Sequence, residues 1–410
     1  MSVNSLHSGP NAPTIGLYGI DGVYNYGTEA IVRGTEIILR RTWPDVQIIY
    51  ASLRPEDDKR RLKGSNVEII PRKVYPKWTI QWLGNALRTV TGIPCPLYRE
   101  DLSWVDECDI IFSIGGDIYT LPPNYKNRPL FPYYHPLIHF GNMVKKRGKK
   151  LVIWGASIGP FEGFPKAKKA FIEHLRTVDL IVSREPRTTS YLKSIGISDN
   201  VIERADPAFM VSLPGGHNLF PSSNHKIKIG LNLSPLSTLY SFGDKAMPEV
   251  ISKQADIIVS LIKNLDAEVI LIPHVVCYFN INDDDLRYLK AMRNAIPKDL
   301  LGQVRLIDND PGFLGTKQIL SECDIVIAAR MHCAINAIEA GVPTIFIAYS
   351  QKAVGMAEYV YGNKKWVIPI EKLTEDRLLA LVKAQLSEKD SIKISLAERN
   401  KGLQKSTIMA

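Results

Sequence analysis

Short β-rich runs alternate with helical stretches from residue 15 to residue 348, and that alternation restricts the chain to parallel sheets covered by helices. Residues 15–19, 46–52, 109–114, 150–154 and 180–183 read as strands of a first sheet, with helical patterns over 28–41, 137–147, 166–178 and 188–196. A second series restarts at 227–233 and continues through 268–273, 304–307, 324–328 and 344–348. The stretch between the two series, 213–225, has two glycines, two prolines and several small polar residues, which marks it as a linker. The expected organisation is therefore a domain over 1–212, a linker over 213–225 and a second domain over 226–410. A chain of 410 residues exceeds what one core usually holds, about 250–300 residues, so two cores agree with its size. The expected fold class is α/β: two doubly wound Rossmann-like domains facing a cleft, with ligands beyond the carboxyl ends of the strands.

Composition narrows the function classes. Charged residues at 23% and hydrophobic residues at 45% are ordinary for a globular protein, and no apolar run approaches the length of a membrane span, about 18 residues. No leader is readable in residues 1–7, so the expected location is cytoplasmic. The five cysteines, Cys95, Cys108, Cys277, Cys323 and Cys333, are scattered, without a Cys-x-x-Cys pair, and read as reduced core thiols. Net charge is +9; residues 1–210 hold 28 Lys and Arg against 21 Asp and Glu, so the first half carries most of it. That bias suits an acidic substrate or an anionic surface as well as an ordinary solvated face, and no nucleic-acid motif accompanies it.

The strongest local signal is the strand 324–328 running into Arg330, Met331 and His332, with Gly341 and Pro343 beyond. A helix expected from Met331 places Arg330 and His332 at a helix N-terminus, where unpaired N–H groups attract phosphate or carboxylate. After the next strand come Tyr349 and then Lys352, a third positive charge. Asn25 and Glu29 lie beside the glycine-rich turn of Gly16, Gly19 and Gly27; Asp117, Arg184 and Asp206 follow other strands. Each of these has a structural alternative, as a turn, a cap or an internal pair. Asp283, Asp284 and Asp285 read as a solvated helix start rather than a metal site, because consecutive carboxylates on a helix point apart. Residues 72–88 mix basic and aromatic side chains, and Trp78, Trp82 and Ala86 share one helical spacing with Leu83 and Leu87 adjacent, a face suited either to a core or to an anionic membrane interface.

Taken in order, these pieces resemble the polysaccharide pyruvyl transferase family. Arg330-Met-His332 through Gly341-Val-Pro343, with Tyr349 and Lys352, is similar to its C-terminal signature. Gly16-Leu-Tyr-Gly19 with Asn25, Gly27 and Glu29 resembles its opening turn, where an aspartate commonly stands in place of Thr28. Ile114-Gly-Gly-Asp117 resembles its central glycine segment, with Asp117 replacing a frequent glycine. Gly155-Ala-Ser-Ile-Gly159-Pro160, Ser183-Arg184-Glu185 and Ala205-Asp206-Pro207 complete the series over residues 15–355. The resemblance implies a glycosyltransferase-B-like fold, and transfer of a pyruvyl group from phosphoenolpyruvate to sugar hydroxyls of a polysaccharide or lipid-linked precursor as a ketal. It implies an acceptor side in the first domain and a donor side in the second. On this reading His332, with Asp117 or Glu29, moves protons, and Arg330, Lys352, Arg184, Asn25 and Tyr349 bind substrate. No metal and no cofactor beyond phosphoenolpyruvate as co-substrate is required, and peripheral contact with the inner membrane face is left open by residues 72–88. A nucleotide-sugar-dependent glycosyltransferase, or a non-catalytic sugar- or membrane-binding module, would suit the same architecture.

Overall fold

The computed structural model describes residues 6, 7, 9, 11–91, 99–121, 134–213 and 226–407. It contains two all-parallel sheets. The first is built from β1 (Thr14–Tyr18), β2 (Gln47–Ser52), β3 (Glu68–Pro71), β4 (Ile110–Ile114), β5 (Lys150–Ala156), β6 (Leu180–Ser183) and β7 (Val201–Glu203). The second comprises β8 (Lys228–Asn232), β9 (Glu268–Leu271), β10 (Val304–Leu306), β11 (Ile325–Ala328), β12 (Thr344–Ala348) and β13 (Val367–Pro369). Their orders are β3-β2-β1-β4-β5-β6-β7 and β10-β9-β8-β11-β12-β13. Both reverse direction beside the first strand of their series, which is the doubly wound arrangement expected from the alternation.

The central strands β4, β11 and β12 are buried along their whole length. Helices cover both faces of such strands, so their sequences are continuous apolar runs rather than alternating ones. Three of the four edge strands, β3, β7 and β13, are only partly buried, carry a weaker pattern and are not legible as strands in the sequence, whereas the fourth, β10, falls within the expected strand 304–307. The first core gathers Ile111, Ile153, Phe161 and Phe171, with the two phenylalanine rings stacked at 4.2 Å. The second gathers Ile258, Leu261, Leu289, Ile325 and Ile345.

By their contacts the residues fall into two compact units. One comprises Met1–Val23, Ile31–Pro207 and Ser406–Ala410; the other, Tyr24–Ala30 and Ala208–Lys405. The main change of unit therefore lies at Pro207 and Ala208, and residues 214–225 of the expected linker are outside the described residues. Tyr24–Ala30, the end of the glycine-rich turn, counts with the second unit although the strand before it belongs to the first. Cys108, Cys277, Cys323 and Cys333 are buried and free; Cys95 is outside the described residues.

Candidate active site

In the second unit the strand order reverses between β8 and β11, and a buried polar cluster is built there. Asn232, the last residue of β8, accepts the Ala329 N–H on its carbonyl at 2.9 Å and the Arg330 N–H on Oδ1 at 3.0 Å. These bonds hold Arg330 extended at the N-cap of the helix Met331–Glu339, as the sequence spacing predicts. Its side chain turns inward. Nε donates to Asp285 Oδ1 at 3.1 Å, and Nη2 donates to Asp285 Oδ1 at 2.8 Å and Asp283 Oδ1 at 2.7 Å. Nη1 has no hydrogen bond among the described residues.

Asp285 is fully buried, and its Oδ2 accepts from the N–H groups of His274 and Val275, both at 3.1 Å. The expected solvated helix start is thus corrected. Asp284 alone behaves as a cap, bonding the Leu286 N–H at 3.1 Å, while its two neighbours turn back onto Arg330. Burial opposes the guanidinium charge, but Asp285 and Asp283 more than offset this and hold the Arg330 pKa above its ordinary value. Arg330 is therefore a fixed cation, pre-oriented by two carboxylates, rather than a free charge reaching into solvent.

His332, half-buried in the first turn of the helix, packs on Gly27; a Cβ there would lie 2.4 Å from His332 Nδ1. Gly27 reaches this position because Asn25 bridges Val275 and the Tyr26 N–H donates to the His274 carbonyl at 3.0 Å. The Tyr26 hydroxyl donates to Asp310 at 2.6 Å. Asn25 itself shapes the turn, accepting the Gly27 N–H on Oδ1 at 2.9 Å, while the Thr28 hydroxyl donates to the Asn25 carbonyl at 2.7 Å. Glu29 is buried and accepts the Phe313 N–H at 2.8 Å, at the start of the helix Gly312–Ser321. The structure therefore places Asn25 and Glu29 with His332 in the second unit, and gives Glu29 a capping bond favoured by the helix dipole.

Tyr349 and Lys352 follow β12, which pairs with β11. Tyr349 is half-buried within electrostatic reach of Arg330, and its ring lies 6.2 Å from that of Tyr240. Lys352, also half-buried, is the second residue of the helix Gln351–Tyr361.

His274, one residue beyond Pro273 and the end of an expected strand, is not singled out by sequence spacing. It is fully buried with its ring edge-on to Tyr26 at 5.5 Å and Phe313 at 6.1 Å, and neither ring nitrogen has a partner among the described residues. Burial first, then the electrostatic influence of His332, Arg330 and Lys317, hold its pKa well below the usual histidine range, so it is neutral. The one signal for it was a titratable residue just past a strand end.

The first unit has its own reversal between β1 and β4, and there Arg184 departs from its expected role. The guanidinium is fully buried: Nη1 donates to Asp206 at 2.8 Å, Nη2 to Asp117 and Nε to Ser157, both at 2.9 Å. Gly116 makes room for it, since a Cβ there would lie 2.4 Å from Nη1. Arg184 is thus an internal brace rather than a substrate-binding cation, because no part of it faces solvent. Asp206 is buried with it, whereas the Asp117 side chain is 56% exposed beyond its bond to Arg184. Arg330, His332, Asn25, Glu29, Tyr349 and Lys352 thus belong to one unit, and Asp117 and Arg184 to the other.

The family model described as polysaccharide pyruvyl transferase matches residues 25–351, most of the chain. The amylovoran biosynthesis protein AmsJ of Erwinia amylovora is 22% identical over 398 residues, covering 91% of this chain and 92% of that protein. Among solved structures, a putative UDP-N-acetylglucosamine 2-epimerase from Listeria monocytogenes superposes with a TM-score of 0.57 at 10% identity, covering 97% and 94% of the two chains. The UDP-GlcNAc 2-epimerase from Neisseria meningitidis, bound to UDP-GlcNAc, gives 0.57 at 13% identity over 96% and 97%. At such identities these two structures speak to fold alone, and it is the glycosyltransferase-B-like one.

Proposed function

The chain belongs to the polysaccharide pyruvyl transferase family, and on that premise we propose that it moves the pyruvyl group of phosphoenolpyruvate onto two hydroxyls of a sugar in a polysaccharide or lipid-linked precursor. The observation that carries this is Arg330 and His332 opening a helix at the strand reversal of the second unit, with Arg330 pre-oriented by Asp283 and Asp285.

Phosphoenolpyruvate carries two anionic groups. The Arg330 Nη1 edge, the N–H groups opening the helix Met331–Glu339 and Lys352 are the cationic and dipolar groups this unit offers to them. A proton added to the methylene carbon makes it a methyl group and leaves an oxocarbenium-like centre. One sugar hydroxyl attacks that carbon, phosphate leaves with the C–O bond electrons, and a second hydroxyl closes the ketal. Of the two hydroxyl protons, one replaces that given to the methylene and the other leaves with phosphate. We assign the proton transfers on the donor side to His332, because an imidazole exchanges protons near neutrality and Arg330 cannot. The reaction as written uses no metal and no further cofactor.

Phosphoenolpyruvate should stabilise the protein by mass action, about 2.7 kcal/mol at a hundredfold excess over its Kd. The melting temperature should rise with phosphoenolpyruvate and stay unchanged with UDP-sugars. The opposite pattern would favour a nucleotide-sugar glycosyltransferase, and no response to either would favour a non-catalytic module. Phosphate release with candidate acceptors, followed by the mass of the product, tests transfer itself.

Gly27→Ala provides a local test of the same site. The new methyl group would crowd the His332 ring and its Cβ, so the ring and the start of its helix must shift. Phosphate release should fall by about tenfold or more, as a misplaced reacting group does, with a lower melting temperature from the overpacking. Full activity in this variant would show that the His332 position does not matter.

A further inference from the structure

The basic, aromatic segment beyond β3 takes no part in the cluster around Arg330. In the first unit the chain runs from Pro71 through Trp78 into the helix Ile80–Thr91. Trp78 has a left-handed backbone, φ 72°, is 76% exposed, and its ring lies 5.0 Å from that of Trp82. Within the helix the exposed apolar side chains are Ile80, Leu83, Leu87 and Val90. Those positions are i, i+3, i+7 and i+10, one continuous stripe. Of the expected face, Trp78 precedes the helix and Trp82 and Ala86 are half-buried, while the adjacent Leu83 and Leu87 are exposed.

A contiguous stripe of this size on a protein surface calls for a cover. The charges around it say which. Residues 72–91 contain Arg72, Lys73, Lys77 and Arg88 and no acidic residue. Arg72 is paired with Glu100 and Asp21. Lys73 and Lys77 are exposed and form no ion pair among the described residues, with Asp101 the acidic group in electrostatic reach of Lys73. A second copy would bring the same positive rim onto itself. An anionic bilayer satisfies both the apolar stripe and the rim, and tryptophan favours the boundary between acyl chains and headgroups. No helix among the described residues is long and apolar enough to cross a membrane, so contact from one side is the geometry in question.

We propose that Trp78 and the helix Ile80–Thr91 dock the protein on an anionic lipid surface, with Ile80, Leu83, Leu87 and Val90 at the acyl boundary and Lys73 and Lys77 among the phosphates. This stands apart from the transferase reading. Only the corollary, that docking brings the chain to lipid-linked acceptors, rests on it.

The test is co-sedimentation of the full chain with vesicles of phosphatidylglycerol mixed with phosphatidylcholine, and with phosphatidylcholine alone. The protein should follow the anionic vesicles and release as salt rises, since surface attraction is screened over about 10 Å at 0.1 M. Leu83→Ser with Leu87→Ser should lower the partition at least about tenfold. Lys73→Gln with Lys77→Gln should lower it about tenfold on anionic vesicles at low salt and little on neutral ones. These side chains are exposed, so melting temperatures should match the parent; if the leucine pair unfolds, Ile80→Glu replaces it. Absence of binding, equal binding to both vesicles, or indifference to the leucine changes would overturn the proposal. So would a parent dimer that the leucine changes make monomeric, because the stripe would then belong to a second copy. Failure of the transferase reading would appear separately, as no phosphate release from the parent with or without vesicles.

Discussion

His332→Asn is expected to lower kcat by about 10²–10⁴ and to flatten one limb of the pH–rate curve. Asparagine is smaller than histidine but can still hydrogen-bond from the first turn of the helix Met331–Glu339, yet it cannot titrate. Because the ring rests on Gly27 in a half-buried position, the smaller side chain leaves the packing nearly intact and the loss reports chemistry. Arg330→Lys provides the contrast. It retains a charge but loses the fork that engages Asp285 and Asp283, so it should raise the KM for phosphoenolpyruvate while keeping the shape of the pH profile. Steady-state kinetics across pH for both variants separate the two roles. If His332→Asn retains kcat and only raises KM, His332 holds the phosphate and does not move the proton.

Asp285→Asn should produce the largest loss of stability. The amide cannot suit both sides of its site: Oδ1 faces Nε and Nη2 of Arg330, and Oδ2 faces the N–H groups of His274 and Val275. In either orientation an NH₂ group meets donors, and the buried guanidinium loses its fully buried counter-charge. Breaking a buried pair in this way costs about 3–5 kcal/mol, which at ~2–4 °C per kcal/mol lowers the melting temperature by roughly 10 °C. Asp283→Asn should cost much less, because its side chain is 19% exposed and water can replace part of what is lost. Thermal unfolding of the two variants beside the parent tests the difference. An Asp285→Asn protein that melts with the parent would mean that the Arg330 anchor does not hold the second unit together.

The two variants also mark where sequence reasoning ends. Local period and composition were enough for the alternation of strands and helices, the restart of the series and the placement of Arg330 and His332 at a strand-to-helix junction. Each of these depends on residues close in sequence, and the central strands are buried on both faces and so announce themselves as apolar runs. Three of the four edge strands, β3, β7 and β13, were silent, since they are partly exposed and carry no such run; the fourth, β10, was read within 304–307.

What only the tertiary structure decided is which distant groups meet. Glu29 lies 284 residues from Phe313, whose N–H it accepts, and Arg330 lies 45 residues from the Asp285 that neutralises it. No period or motif encodes such separations. Arg184, Asp285 and His274 look in sequence like any charged or titratable residue near a strand end or helix start, and burial alone makes the first a brace, the second an anchor and the third a neutral imidazole. The helix Ile80–Thr91 shows the same division: its amphipathic period was visible, but which face packs inward depends on the surface it lies against, and that surface is assembled by the fold.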